Sequence, residues 1–115
     1  MQLIFRDKSR LWDLSKDVEQ SSVCSQIVPI PGAVIDQGEL SLSVNGQTKQ
    51  HSDVNKLIWN VREIIADLSL FYHLQPGDLI FTGTPEGVGA VVAGDRIDGH
   101  IQGAGEIVLN IGVAE

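Results

Sequence analysis

Residues 40–50 read LSLSVNGQTKQ, and they carry the clearest structural signal in the sequence. Leucine alternates with serine up to Val44, which is the two-residue period of a strand with one buried face. Asn45–Gly46 follows at once, and both residue types tolerate the positive φ angles that a two-residue hairpin turn requires. The stretch therefore predicts a β-hairpin.

A change of period after this hairpin indicates a helix. From Val54 to Leu68 the apolar residues recur at spacings of three and four, which is typical of an amphipathic helix with one buried face. Ser52 or Asp53 is a candidate N-cap, and Pro76 cannot continue the helix. The sequence predicts one main helix near residues 53–72.

The second half of the chain has the pattern of short strands. Leu79–Phe81 is a short apolar run, for which we expect a buried strand, and Arg96–Ile101 with Glu106–Ile111 is expected to form a second hairpin. Strands do not alternate with helices, as they would in a βαβ protein. The predicted fold class is α+β, with a mostly antiparallel or mixed β-sheet and one main helix.

Length and charge limit the possible functions. The 115 residues suffice for one domain, and 15 acidic against 8 basic residues give a net charge of −7. That charge repels nucleic-acid phosphates. The sequence shows no signal-peptide pattern and no run of the roughly 18 apolar residues that a membrane span needs. We expect a cytoplasmic protein without nucleic-acid or membrane partners, in which the single Cys24 is buried.

Glycine, threonine and proline are crowded into residues 77–89, GDLIFTGTPEGVG. Gly83 would let a ligand reach backbone N–H groups, and the Thr84 hydroxyl could then orient a carboxylate. The alternative is a tight turn in which Thr84 caps its own backbone, and the local pattern favours this alternative. Local pattern also favours a surface charge over a catalytic group for Lys16.

Several segments, taken together and in order, resemble a known family. WDLSK at 12–16, VNG at 44–46, the predicted helix and PGDLIFTGTPEGVG at 76–89 resemble the carboxy-terminal part of the fumarylacetoacetate hydrolase domain. The resemblance extends from about Arg6 to Gly112, and members of the acylpyruvase and fumarylpyruvate hydrolase type fit it well. The motif at 76–89 is the most specific part of the match.

This resemblance implies a β-roll fold, usually dimeric, and a hard divalent cation such as Mg²⁺, Mn²⁺ or Ca²⁺. The implied activity is metal-dependent cleavage of a C–C bond in a small 2-oxo acid, either acylpyruvate or fumarylpyruvate hydrolysis or oxaloacetate decarboxylation. In the family the metal polarises the ketone, and a lysine helps to stabilise the enolate. Lys16 matches this catalytic, substrate-binding lysine. Gly83 and Thr84 match the residues that hold the substrate carboxylate.

The sequence also departs from the family pattern. The amino-terminal half of family members supplies an E-x-E pair of metal ligands that this sequence lacks. Gln2 falls at the family's aspartate ligand position, and an amide is a weaker ligand than a carboxylate for such a cation. We therefore expect residues 1–115 to be a single partial domain, the carboxy-terminal half without the amino-terminal half. The chain alone is expected to bind no metal and to be nearly inactive.

Three interpretations remain open at this stage. The chain is part of an enzyme that needs the missing half, or a truncated, non-catalytic remnant that acts as a binding or oligomerisation module. The third interpretation is a subunit whose separate partner chain carries the metal ligands. Lys16 and the loop at 77–89 favour an enzyme, whereas Gln2 and the altered sequence around Ser9 favour the remnant.

Overall fold

The computed structural model of the chain describes residues 20–113. Four strands form one sheet in which every neighbouring pair is antiparallel, and the strand order is β2-β1-β3-β4. One α-helix follows β2. This arrangement confirms the predicted α+β class. The elements are β1 Glu39–Val44, β2 Gln47–Asp53, α1 Val61–Leu68, β3 Arg96–Ile101 and β4 Gly105–Asn110.

The hairpin of β1 and β2 forms where the sequence predicts it. Asn45 and Gly46 occupy the turn with φ angles of 51° and 79°, the left-handed region that these residue types tolerate. The Asn45 side chain accepts a hydrogen bond from Arg96 N (2.9 Å) and donates one to Asp95 Oδ1 (2.8 Å). The turn residue thus also fastens the hairpin to the beginning of β3.

The centre of the sheet joins two distant parts of the chain. β1 pairs with β3, from Leu40 opposite Ile101 to Val44 opposite Ile97. β3 then forms the second predicted hairpin with β4, which begins one residue earlier than expected, at Gly105. Both local hairpins could be predicted, whereas the pairing of β1 with β3 requires the folded structure.

The helix is shorter than the sequence predicts. Asp53 caps a separate 3₁₀ turn, Val54–Lys56, by accepting a hydrogen bond from Asn55 N, and the backbone becomes extended at Leu57 (ψ 131°). Asn60 then starts α1 through a reciprocal capping box with Glu63 (2.9 and 2.8 Å). The spacing of apolar residues continues across the extended backbone at Leu57. For that reason the sequence predicted one continuous helix.

Two predictions of burial are wrong. Leu79–Phe81 has no assigned strand, and Leu79 and Phe81 are 59% and 64% exposed. An apolar run indicates a tendency towards burial, but it does not show which segment will cover it. Among the residues that the structure describes, no segment covers Leu79 and Phe81. Cys24, expected to be buried, is exposed.

The sheet and helix do not enclose a core of their own. Between residues 20 and 113 no apolar side chain is buried, and the apolar face of α1 is at most half-buried at Val61, Ile64 and Leu68. The connecting segment, residues 69–95 between α1 and β3, exposes several large apolar side chains, including Leu70 (77%) and Phe71 (74%). No helix within the described part of the chain is long and apolar enough to cross a membrane.

Candidate functional site

The site loop, residues 83–87 (GTPEG), lies against strand β2. Gly87 has a φ of 99°, and a Cβ atom there would overlap the carbonyl oxygen of Lys49. Any side chain at this position would therefore push the loop away from the sheet. The backbone of the loop at Gly87 thus lies directly against the backbone of β2 at Lys49.

Gly83 is different, although its φ of 93° also favours glycine. A Cβ atom on Gly83 would meet no other atom within 4 Å. The backbone N–H groups of Gly83 and Thr84 form no hydrogen bond to another residue of the described range 20–113. Within the described range, these two N–H groups thus have no protein acceptor.

Thr84 does not cap its own backbone, so the locally favoured alternative is wrong. Its Oγ1 accepts a hydrogen bond from Gln50 Nε2 (2.9 Å), which also donates to the carbonyl oxygen of Pro85 (2.9 Å). Gln50 is 7% exposed and is the sole buried side chain of the region from 20 to 113. A glutamine in the polar strand QTKQHSD gives no sequence signal of this role.

A cavity of about 620 Å³ lies beside the site loop. Thr82, Gly83, Thr84 and Pro85 contribute to its wall, together with Asp53, Lys56 and apolar residues of β1 and α1. This size is ordinary for a small-molecule site, and a mostly apolar lining with a few polar groups is the usual composition of such sites. The cavity can therefore accommodate a small organic anion next to Thr84.

Asp53 is the acidic residue of the cavity wall, and its Oδ1 accepts two backbone hydrogen bonds. Hydrogen bonds from the N–H groups of Asn55 (2.9 Å) and Gly38 (3.2 Å), with a smaller effect of Lys56, lower the pKa of Asp53. The group is thus ionised at neutral pH and is held by backbone donors. It is therefore poorly suited to carrying a proton at neutral pH.

The described residues do not by themselves form a metal site. No cluster of three or more histidine, cysteine, aspartate or glutamate side chains that could hold an ion occurs among residues 20–113. Gly83 and Thr84 lie side by side on the cavity wall. Lys16 and Gln2, the other two positions that the resemblance singled out, lie outside the described residues.

Comparison with known proteins identifies the family. The model for the carboxy-terminal domain of fumarylacetoacetate (FAA) hydrolases matches residues 1–111. The chain belongs to this family. It is 68% identical over 115 residues to a fumarylpyruvate hydrolase from Ralstonia sp, a match that covers 100% of this chain and 60% of that relative.

Solved structures of family members agree with the fold. A crystal structure from Burkholderia cenocepacia superimposes with a TM-score of 0.88 at 36% identity, covering 99% of this chain and 51% of that one. Fumarylpyruvate hydrolase from Pseudomonas aeruginosa, in complex with Mn²⁺ and pyruvate, gives 0.80 at 39% identity, covering 98% of this chain and 49% of that one. The chain thus spans about half to three-fifths of the length of these proteins.

Proposed function

We propose that this chain contributes the carboxylate-binding part of the active site of an acylpyruvate hydrolase, with fumarylpyruvate as the preferred substrate class. The observation that carries the proposal is the 68% identity to a fumarylpyruvate hydrolase over the whole chain. The reaction would break a C–C bond of a small 2-oxo acid by adding water, and pyruvate would be released.

The geometry of the site loop supports this function. Gly83 and Thr84 belong to the cavity wall, and a threonine hydroxyl together with two backbone N–H groups would suit a carboxylate. A carboxylate held there would fix one end of the substrate, so that its reacting carbon would lie at a constant position in the cavity. We assign substrate binding to Gly83 and Thr84, and both substrate binding and catalysis to Lys16.

A divalent cation belongs to this proposal, and residues 20–113 contain no cluster of three or more candidate ligands that could hold it by themselves. When bound, such an ion would polarise the keto group of the substrate. The P. aeruginosa relative contains Mn²⁺ together with pyruvate. We propose Mg²⁺ or Mn²⁺ as the cofactor, held by side chains outside the described range.

We also propose that the 115 residues need further polypeptide for turnover. The exposed apolar side chains of the connecting segment support this requirement, because further polypeptide could cover them. A homodimer and a cytoplasmic location, both expected from the sequence, remain predictions.

The experiment is a complementation assay. The purified 115-residue chain is incubated with Mn²⁺ or Mg²⁺ and fumarylpyruvate, with and without the part of the Ralstonia relative that the match leaves uncovered. We expect the mixture to reach ordinary enzyme turnover, about 1 s⁻¹ or more, and the chain alone to remain far below it. Turnover near 1 s⁻¹ by the chain alone would contradict the requirement for a complement.

Substitutions of Thr84 provide the matched controls. Thr84→Val removes the hydroxyl at nearly constant volume and should raise KM, whereas Thr84→Ser keeps the hydroxyl and should retain most of the activity. A mixture that folds and associates but does not cleave any acylpyruvate would refute the enzymatic proposal. That result would support the binding or oligomerisation module instead.

A further inference from the structure

Gln50 is an unusual residue in its strand. In β2 the neighbouring Lys49 and His51 are exposed, while Gln50 is 7% exposed. Its side chain crosses to a loop 34 residues further along the chain, where it contacts Thr84. A buried amide whose polar atoms were unpaired would be destabilising, so these contacts determine where the loop lies.

The hydrogen bonds fix which way the Gln50 amide points. The Pro85 carbonyl oxygen can only accept, and the atom 2.9 Å from it must therefore be the donor Nε2. The same Nε2 lies 2.9 Å from Thr84 Oγ1, whereas Oε1 is 3.4 Å from that hydroxyl. Each hydrogen of the amide thus has one acceptor, Pro85 O or Thr84 Oγ1.

This orientation determines the role of the Thr84 hydroxyl. Because the oxygen accepts from Gln50 Nε2, the hydroxyl hydrogen can be donated either weakly to Gln50 Oε1 (3.4 Å) or to an acceptor outside the pair. Thr84 belongs to the wall of the 620 Å³ cavity. The nearest competing acceptor on the protein side is Oε1 of Gln50, and 3.4 Å is a long distance for an O–H···O bond.

We propose that Gln50 is a positioning residue that holds the site loop and orients the Thr84 hydroxyl as a hydrogen-bond donor to the substrate carboxylate. This inference rests on the proposed function, because it takes a 2-oxo acid as the ligand of Thr84. Gln50 itself does not touch the substrate. Its contribution passes through Thr84 and through the position of the loop backbone.

Three substitutions test this role in the complemented protein. Gln50→Met keeps the length of the side chain but cannot hydrogen-bond, and it should raise KM for fumarylpyruvate about tenfold with kcat changed less than about threefold. Gln50→Glu should raise KM further, because a carboxylate accepts the Thr84 hydrogen and repels both the Pro85 carbonyl and the anionic substrate. Thr84→Val should match Gln50→Met.

The double variant Gln50→Met/Thr84→Val distinguishes positioning from general stability. If Gln50 acts in part through the Thr84 hydroxyl, Gln50→Met should raise KM by a clearly smaller factor in the Thr84→Val background than in the wild type, because only the contact with Pro85 remains to be lost there. If Gln50→Met multiplies KM by the same factor in both backgrounds, or leaves KM at the wild-type value, the positioning role is overturned while the hydrolase assignment stands.

Nuclear magnetic resonance of the side-chain amides gives a readout that does not need turnover. We expect the Gln50 amide hydrogens of the 115-residue chain to exchange with water at least about tenfold more slowly than those of exposed Gln37 and Gln47, and to accelerate in Thr84→Val. Exchange as fast as in Gln37 overturns the inference directly. Slow exchange in Gln50 without any turnover in the wild-type mixture refutes the proposed function and, with it, the role in substrate binding.

Discussion

The sheet and the connecting segment are maintained by different interactions. In the sheet every strand is hydrogen-bonded to its neighbour, and the Asn45–Gly46 turn is fastened to β3 by the Asn45 side chain. Residues 69–95 contain no strand or α-helix and expose Leu70, Phe71 and Phe81. The site residues Gly83 and Thr84 belong to this second region.

The difference shows how the position of the site is determined. The sheet is stabilised by the hydrogen bonds between its own strands. The site loop, in contrast, is positioned by two contacts with β2: the hydrogen bonds of the Gln50 side chain and the close approach of Gly87 to Lys49. A change in the loop can therefore leave the sheet intact, but a change in β2 will move the loop. The predictions below test this asymmetry.

The largest effect is expected from Gly87→Ala. The new Cβ atom would overlap the Lys49 carbonyl, and the positive φ adds strain, so loop docking should weaken by about 2 kcal/mol or more. The measurement is the hydrogen exchange of the Gln50 side-chain amide. Gly83→Ala is the matched control, because it shares the positive φ but meets open space. Equal effects of the two substitutions would show that the contact with Lys49 is unimportant.

Asn45→Ala tests the sheet. It removes a residue that tolerates φ of 51° together with two hydrogen bonds, and it should lower the free energy of unfolding by about 1–2 kcal/mol. Urea denaturation measures this change. Gln47→Ala in the same hairpin should stay within about 0.5 kcal/mol. In Asn45→Ala, the exchange of the Gln50 side-chain amide should change little at urea concentrations where the sheet remains folded. A large increase would contradict the idea that the turn stabilises the sheet and not the loop.

Acid should weaken the junction between the two regions through Asp95. The N–H of Val92 (2.9 Å) and the side-chain amide of Asn45 (2.8 Å) lower the pKa of Asp95. Its stabilisation is present above the unfolded value of about 3.9 and is lost as the pH falls through the lower folded pKa. Melting temperatures from pH 6 to pH 2.5 should therefore fall less steeply for Asp95→Asn than for the wild type. If the melting temperatures of Asp95→Asn and of the wild type fall in parallel with pH, the Asp95 carboxylate does not contribute to stability.

The smallest effect on stability is expected from Phe81→Ser in the isolated chain. The side chain is 64% exposed, so the free energy of unfolding should change by less than about 0.5 kcal/mol, while binding of a hydrophobic dye should decrease. Half-buried Leu42→Ser in β1 is the control and should cost several times more. A loss of about 2 kcal/mol for Phe81→Ser would mean that the connecting segment has a core of its own.

The elements that could be predicted are those specified by neighbouring residues. Asn45–Gly46 defines its hairpin because positive φ is a property of the two residues themselves, and the β3–β4 hairpin is equally local. The break before α1 was missed because the apolar period runs through it, although Asn60 with Glu63 was a legible capping signal. The prediction that Leu79–Phe81 is buried was wrong because burial requires another segment that packs against these side chains. A local sequence pattern does not show which segment that would be.

The site was only partly predictable, for a related reason. Gly83 and Thr84 could be named through the resemblance to a family, and both lie on the cavity wall. Gln50 could not be named, because its partners Thr84 and Pro85 are more than thirty residues away and its strand is polar throughout. Local pattern even favoured self-capping by Thr84, whereas both recorded hydrogen bonds of its hydroxyl within residues 20–113 are with Gln50.

The register of β2 has a consequence for insertions and deletions. Leu42 pairs with Gln50 but Ser43 pairs with Thr48, so Lys49 has no partner in β1. An unpaired residue of this kind, a β-bulge, has a peptide group that does not take part in the hydrogen bonds between the strands. Here the carbonyl group of Lys49 lies against Gly87 of the site loop. Deleting Lys49 would make the hairpin more regular and yet remove the surface on which the loop rests. At this one position the number of residues matters more than their identity.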